Sequence, residues 1–219
     1  MYINFNDIKN NKEINAYIQY ADDYLKAIGY TEHSFIHIMR CVVVVEDILK
    51  SLGYDEHTIE LAKIAAYMHD IGNVVNRDGH AKSGALMAFK ILKDLNMDSQ
   101  DIATIVTAIG NHDESSAYPV SVVSSALIIA DKTDVRRARV RNELYELDIH
   151  DRVNYAAKSS IVSVNKEAKQ LILNLTIDTS ICSIMDYFEI FLSRMNLCKK
   201  ACKFFDLTFK LIINNQSFI

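Results

Sequence analysis

Apolar residues recur at helical spacing over most of the first 140 residues. Gly29 and Gly53 follow two such stretches and predict helix ends, and Thr31 is the predicted N-cap of the second helix. The sixth helix is predicted to start near Pro119 and to continue to about Glu146. The five helices before it are predicted over about 11–28, 31–52, 55–68, 80–95 and 99–110.

The pattern changes after His150. The runs SSIVSV and QLILNLTI alternate like strands and are joined by the turn-like NKEAK, which predicts a hairpin. Helical spacing returns over about 182–205, and TFKLIIN predicts a closing strand. The predicted fold class is therefore mainly α, with a helical domain over 1–150 and a small β-β-α-β subdomain, of α+β type, over 151–219.

The composition is typical of a helical protein, and it disfavours membrane contact and nucleic-acid binding. With 219 residues, 50% of them hydrophobic, the chain is long enough to bury a core of its own, and one proline and six glycines favour helices. No apolar run reaches the roughly 18 residues of a membrane span, so we expect a cytoplasmic protein without membrane contact. The net charge of −4 disfavours nucleic acid as a partner. The four cysteines lack disulfide or zinc-ribbon spacing and are predicted to be buried thiols.

Histidines and aspartates gather where predicted helices end or turn. Imidazole nitrogen with carboxylate oxygen, and no thiolate, is a donor set that suits Fe, Mn, Zn or Ni. An adjacent His-Asp pair allows one carboxylate to bridge two ions, and two ions stabilise both oxygens of a displacement at phosphorus. The set is His37, His69, Asp70, His80, His112, Asp113 and Asp131. It predicts a hydrolytic metal centre.

The order H…HD…H…H…D resembles the HD superfamily of metal-dependent phosphohydrolases. The separation of His37 from His69, the position of Gly53 and the segment AAYMHDIGN also resemble that family, over about residues 30–141. The resemblance implies that residues 1–150 form an HD-domain helical bundle. The residues after Arg141 resemble no family that we can name.

The resemblance also implies a role for each ligand. One divalent transition-metal ion would be held by His37, His69, Asp70 and Asp131. Asp70 would bridge to a second ion bound by His80 and His112, and these three residues would be catalytic, with metal-bound hydroxide as the nucleophile. The two middle histidines favour the binuclear subtype seen in HD-GYP phosphodiesterases and in HD-type dinucleoside polyphosphate hydrolases.

Two departures separate the chain from HD-GYP proteins. The GYP motif is absent after His112, and Asn73 stands where a lysine often follows HDIG, which argues against cleavage of cyclic di-GMP. His33 lies one helical turn before His37. His33 and Asp113 are candidates for a third metal site, but a hydrogen bond to a metal ligand is the favoured role.

A basic run, DKTDVRRARVR, follows the last ligand. Guanidinium groups bind phosphate through two parallel hydrogen bonds, and Arg137 is the first choice for a substrate phosphate. Lys132 and Arg77 are weaker candidates for the same role. The other arginines are expected to form a solvated face or to pair with Glu143, Glu146 and Asp148.

Three functions remain open at this point. The leading prediction is hydrolysis of a nucleotide-like phosphomonoester or phosphodiester, a small-molecule substrate. The alternatives are an HD-type di-iron oxygenase and a non-enzymatic nucleotide-sensing module. In the last case residues 151–219 would bind a partner or form a homodimer. The complete ligand set argues against the non-enzymatic alternative.

Overall fold

The computed structural model describes residues 3–114, 116–141 and 148–219, and helices dominate this part of the chain. The helices are α1 Phe5–Lys9, α2 Lys12–Ala27, α3 Phe35–Leu52, α4 Glu56–Met68, α5 His80–Asp94, α6 Ser99–Gly110, α7 Val122–Lys132, α8 Ile149–Ala156 and α9 Ile184–Phe204. Short 3₁₀ helices span Ile71–Val74 and Arg137–Arg139. The strands are β1 Ala157–Asn165, β2 Gln170–Ile177, β3 Thr208–Ile213 and β4 Gln216–Ser217. The predicted mainly helical class with a small C-terminal sheet is confirmed.

Helix α3 starts later than predicted. Ser34, not Thr31, is its N-cap, because the Ser34 hydroxyl accepts a hydrogen bond from the backbone N–H of Ile36 at 3.2 Å. The carbonyl of Thr31 instead contacts Nδ1 of His33 at 2.7 Å. At the other end Gly53 adopts φ 84°, a left-handed conformation that glycine reaches without strain, so the predicted helix end is confirmed.

Helix α7 ends at Lys132, so the prediction that it continues through the basic run is wrong. The Thr133 hydroxyl donates to the carbonyl of Ile129 at 2.7 Å, a local hydrogen bond of the kind that competes with helical pairing. The Asp134 side chain turns to the protein interior rather than along a helix. Arg136 therefore lies in an extended conformation and Arg139 in the short 3₁₀ helix, while Glu143 and Glu146 fall outside the described residues.

The sheet has the order β1-β2-β3-β4. Strands β1 and β2 pair antiparallel, as the hairpin prediction requires, and β3 pairs parallel to β2 after the α9 crossover. The two-residue strand β4 pairs antiparallel with β3 and forms the edge of the sheet. The sequence pattern missed α1, α8 and β4, because helices of five and eight residues make only about one to two turns and a strand of two residues shows no alternation.

One hydrophobic core runs through the described part of the chain. Helices α3, α4 and α7 form its centre, where Ile38, Ile64 and Ile128 are fully buried, each contributing roughly 1.5–3 kcal/mol. Helix α9 packs on α7 and β1 packs on α3, so the core continues across the domain boundary predicted at residue 150. The four cysteines are buried and free, as predicted.

Within the described residues, we find no helix that combines the length and the apolar composition needed to cross a bilayer.

Candidate metal centre

The six predicted ligands lie close to helix ends that meet in the interior. His69 is the C-cap of α4 and Asp70 begins the following turn, while His80 opens α5. The five side chains of His37, His69, Asp70, His80 and His112 are buried. Asp131 lies near the end of α7 and its side chain is 12% exposed.

A close approach of two glycines brings His80 beside Asp70. A Cβ atom on Gly72 would lie 2.0 Å from the carbonyl oxygen of His80 and 2.4 Å from the backbone nitrogen of Gly84. Real Cβ atoms do not tolerate such distances, so only glycine at position 72 lets the turn after Asp70 touch α5. The glycine of the HDIG segment therefore has a packing role.

The two carboxylate oxygens of Asp70 face different histidines. Oδ2 lies 3.3 Å from Nε2 of His69 and 3.9 Å from Nε2 of His37. Oδ1 lies 3.4 Å from Nε2 of His80 and 3.9 Å from Nε2 of His112. The ligands thus form two groups, and Asp70 belongs to both.

Each group is compact. In the first, Oδ1 of Asp131 lies 3.4 Å from Nε2 of His37 and 3.9 Å from Nε2 of His69. In the second, the Nε2 atoms of His80 and His112 are 3.2 Å apart. Such separations suit donor atoms that share an ion, since metal–nitrogen and metal–oxygen bonds are about 2.0–2.2 Å long.

All four histidines are oriented through Nδ1. The acceptors are Asp134 Oδ2 for His37 at 2.8 Å, and backbone carbonyls for the others: Ala66 for His69 at 2.8 Å, Arg77 for His80 at 3.0 Å, and Ile109 for His112 at 2.6 Å. A hydrogen on Nδ1 leaves the lone pair of Nε2 free for a metal. The four Nε2 lone pairs are therefore available to the centre.

This arrangement fits a cation. With hydrogens on Nδ1, the Nε2 atoms and the carboxylate oxygens are all acceptors that face one another. Nε2 of His69 is buried and has no hydrogen-bond partner among the described residues, although Asp70 Oδ2 is near. Buried acceptors at these distances repel one another unless a proton or a metal ion lies between them.

The pKa shifts of His112 and Asp70 suit this donor set, whereas the pKa of His69 is raised in the metal-free protein. Burial would lower the pKa of His69, but the charge and hydrogen bond of Asp70 outweigh it, so a metal ion on Nε2 would displace a proton there. Burial, followed by the charges of His69 and Lys132, lowers the pKa of His112 to about 3, so its imidazole is neutral near pH 7. Burial would raise the pKa of Asp70, but the charge and hydrogen bond of His69 outweigh it and hold that pKa well below its usual range. Neutral imidazole and ionised carboxylate are the forms that bind metals.

Sequence reasoning missed Asp134, which supports the first group. Its Oδ2 accepts from His37, and its Oδ1 accepts from Nε of Arg40 and from Nε of Arg136, both at 2.9 Å. The carboxylate is 2% exposed, and Nη1 of Arg139 lies 3.8 Å from its Oδ2, so it is a buried anion held by three cations and one imidazole. Carboxylate–histidine pairs of this kind fix the orientation of metal-binding histidines. The acid three residues after a ligand was a signal available in the sequence.

Asn73 and Cys41 also contact the ligands. Nδ2 of Asn73 donates to Oδ1 of Asp70 at 2.9 Å and thereby orients the carboxylate. Sγ of Cys41 lies 3.8 Å from Nε2 of His37, and a ligand atom of each of His37, Cys41, His69 and Asp131 lies within 4.8 Å of the others. Burial raises the pKa of the Cys41 thiol well above its usual value, which keeps it neutral.

His33 and Asp113, which were predicted to support the ligands, differ in their position relative to the cavity beside the ligands. The ring of His33 lies 5.5 Å from that of His37, and His33 lines the cavity beside the ligands. Asp113 follows His112 and is not part of the cavity lining among the described residues. Their predicted roles remain predictions.

A cavity of about 470 Å³ opens over the ligands. Asp70, His80, His112 and Asp131 line it, and so do the predicted phosphate-binding residues Lys132 and Arg77. The other basic side chains in the lining are His33, Arg139, His150 and Arg194. The lining thus combines four of the predicted ligands with lysine and arginine side chains and with two further acids, Asp148 and Asp151.

Arg137, the first choice for the substrate phosphate, lies outside this lining among the described residues. Its Nε donates to the carbonyl of Tyr155 at 2.6 Å, and its guanidinium lies 4.5 Å from the centre of the Tyr155 ring. The choice assumed that Arg137 continues the helix of Asp131, and that premise is wrong because α7 ends first.

One family model of known proteins matches most of the chain. The family model of the HD domain matches residues 34–189. Among solved structures, the chain is similar to the crystal structure of a predicted HD superfamily hydrolase from an uncultured Thermotogales bacterium. The two share 26% identity with a TM-score of 0.45, over 57% of this chain and 68% of the other. No curated protein matches the chain. Because the family model covers more than half of its residues, the chain belongs to the HD domain family.

Proposed function

We propose that this chain is a metal-dependent phosphohydrolase that acts on a nucleotide-like phosphomonoester or phosphodiester. The observation that carries the proposal is the position of Asp70, whose two oxygens face separate histidine groups at 3.3 Å and 3.4 Å. A carboxylate in that position is suited to bridge two divalent ions. Paired ions are a recurrent device for displacement at phosphorus.

The ligands divide between the two ions as follows. His37, His69 and Asp131 would hold the first with Oδ2 of Asp70, and His80 and His112 would hold the second with Oδ1. Divalent ions in these positions would lower the pKa of a bound water toward neutrality and withdraw charge from a phosphate oxygen. The protein fixes the donor atoms through the four Nδ1 hydrogen bonds and through Asn73.

Lys132 and Arg77 are suited to bind the phosphate. Nζ of Lys132 lies 2.5 Å from Oδ2 of Asp131, so its charge lies beside the first ligand group. The guanidinium of Arg77 lies 5.5 Å from the centre of the Tyr30 ring, and its Nη1 is 3.3 Å from Oδ1 of Asn73. Both side chains line the cavity, where a phosphate would offset their charges.

The size of the cavity supports a nucleotide-like substrate. Its volume of about 470 Å³ lies within the usual range of small-molecule sites. Beyond the ligands, the lining includes the exposed aromatic residue Tyr30 and the amide-bearing Asn154. Groups of these types suit the flat base and polar sugar of a nucleoside.

A phosphate-release screen in ¹⁸O-labelled water tests the proposal. Protein purified without chelator and supplied with Mn²⁺ is incubated with nucleoside mono-, di- and triphosphates and with bis(4-nitrophenyl) phosphate. We expect turnover, with one ¹⁸O atom in the phosphorus product. Asp70→Ala should be inactive and poor in metal. His57→Ala is the matched control, because His57 is exposed and pairs with Asp101 at 2.8 Å.

Oxygen consumption is recorded on the same samples. No turnover with any of these esters, together with two irons per chain and oxygen uptake, would replace the proposal with the di-iron oxygenase. Full turnover by Asp70→Ala would contradict the two-ion mechanism.

A further inference from the structure

The C-terminal unit reaches the metal-centre cavity. Phe191 and Arg194 of α9 line it, and so do Asp151 and Asn154 of α8. Helix α9 packs on α7, the helix that carries the ligand Asp131. Residues beyond the predicted boundary at 150 therefore form part of the wall that a substrate would touch.

Arg194 is held firmly at this wall. Its guanidinium lies 4.5 Å from the centre of the Phe191 ring, one helical turn earlier. Its Nε forms an ion pair with Oε1 of Glu114, and Ser193 donates to Oε2 of the same carboxylate at 3.2 Å. Glu114 follows His112 by two residues, so α9 is tied to the loop of a metal ligand.

Arg194 would act beside Lys132 and Arg77, whereas Arg139, the remaining arginine of the lining, is already engaged by the protein. Arg139 donates to the backbone carbonyls of Glu32 and Asp134, both at 2.9 Å, and is buried. Lys132 pairs with Asp131. The ion pair of Arg194 with Glu114 is made by Nε, one of three guanidinium nitrogens, and the side chain is 25% exposed. Its two terminal nitrogens carry four further N–H groups.

We infer that Arg194 is a substrate-binding residue, which donates from its terminal nitrogens to phosphate oxygens and makes the C-terminal unit part of the active site. The inference rests on the proposed function, because it takes a phosphate as the ligand. Stacking on Phe191 and pairing with Glu114 fix the planar fork in advance, which lowers the entropy lost on binding. A phosphate with at least two free oxygens suits the fork.

Anion binding without turnover tests the inference. Inorganic phosphate and pyrophosphate are titrated by calorimetry into Mn²⁺-loaded wild-type protein and variants, whose metal content is measured on the same samples. Arg194→Ala should weaken pyrophosphate binding by about tenfold or more at unchanged metal content. Arg194→Lys should recover part of the loss, since it keeps the charge and not the fork. Lys199→Ala, an exposed cation on the same helix, should bind like wild type.

The variant Glu114→Gln distinguishes a direct contact of Arg194 with the anion from a role of Arg194 in supporting the loop that carries His112. It removes the charge that Arg194 pairs with but leaves the guanidinium and its terminal nitrogens in place, so pyrophosphate affinity should fall by much less than in Arg194→Ala. An unchanged affinity in Arg194→Ala overturns the inference. An equal loss in Glu114→Gln and Arg194→Ala also overturns it, because Arg194 would then only position the loop. If wild type binds pyrophosphate but hydrolyses no phosphate ester, the proposed function fails alone; if it binds neither anion, the inference fails.

Discussion

Asp134→Asn isolates the contribution of one buried charge to the metal centre. The substitution keeps the size of the side chain and an oxygen that can still accept from Nδ1 of His37, at 2.8 Å in the wild type. It removes the negative charge that makes His37 a better donor through Nε2. It also removes the common partner of Arg40 and Arg136.

The expected losses follow from these contacts. Partners of metal-binding histidines usually contribute about 10- to 100-fold in metal affinity, or about 1.4 to 2.8 kcal/mol. Removal of one member of a buried ion pair costs roughly 3–5 kcal/mol of folding free energy. We expect a loss near the lower end of this range, because each arginine keeps another environment. Arg40 is 43% exposed and can turn to solvent, and Arg136 keeps Glu32 at 2.7 Å. The buried Arg139 keeps its hydrogen bonds to two backbone carbonyls.

Competition of Mn²⁺ binding against a chromophoric chelator measures the affinity, and urea unfolding of metal-free protein measures the stability. Asp178→Asn is the control, since Asp178 is an acid paired with Lys158 at 2.9 Å at the sheet, and its loss should leave Mn²⁺ affinity unchanged. Wild-type Mn²⁺ affinity in Asp134→Asn would show that this charge does not support the metal centre, and an equal loss in the control would show that the effect is not specific to Asp134.

Two further predictions concern packing and the basic run. Gly72→Ala should lower the free energy of unfolding by at least about 3 kcal/mol, because its Cβ would meet backbone atoms at 2.0 Å and 2.4 Å. Gly110→Ala, with its nearest contact at 3.6 Å, should be near neutral, and urea unfolding compares the two. Arg137→Ala should leave KM and metal content unchanged and lower stability by about 1 kcal/mol through the lost Tyr155 contact. A raised KM would restore its predicted phosphate role.

The helices that carry the ligands were predictable because their signals are local. Helix α6 spans Ser99–Gly110, the range that its apolar period predicts, and Gly53 ends α3 where a left-handed residue is needed. Likewise, the alternation in 157–177 sufficed for the hairpin. Local propensity and tertiary packing agree in these segments, so the sequence pattern predicts them well.

The end of α7 was not predictable in the same way. The run after Asp131 has helical propensity, but Asp134 forms its hydrogen bond with His37, which lies 97 residues earlier in the chain. A contact between residues so far apart in the chain does not affect the local spacing of apolar residues. The same holds for Arg194, whose role depends on a contact with Glu114. Spacing identified the six ligand candidates, whereas the residues that orient them depend on tertiary contacts.

The proposed mechanism requires two metal ions, one on each side of Asp70. Anomalous diffraction from crystals of the Mn²⁺-loaded protein tests it most directly. We expect two anomalous peaks about 3.5 to 4 Å apart. One should lie nearer Oδ2 of Asp70 with His37, His69 and Asp131, and the other nearer Oδ1 with His80 and His112. A single peak under saturating Mn²⁺, or peaks that Asp70 does not bridge, would contradict it.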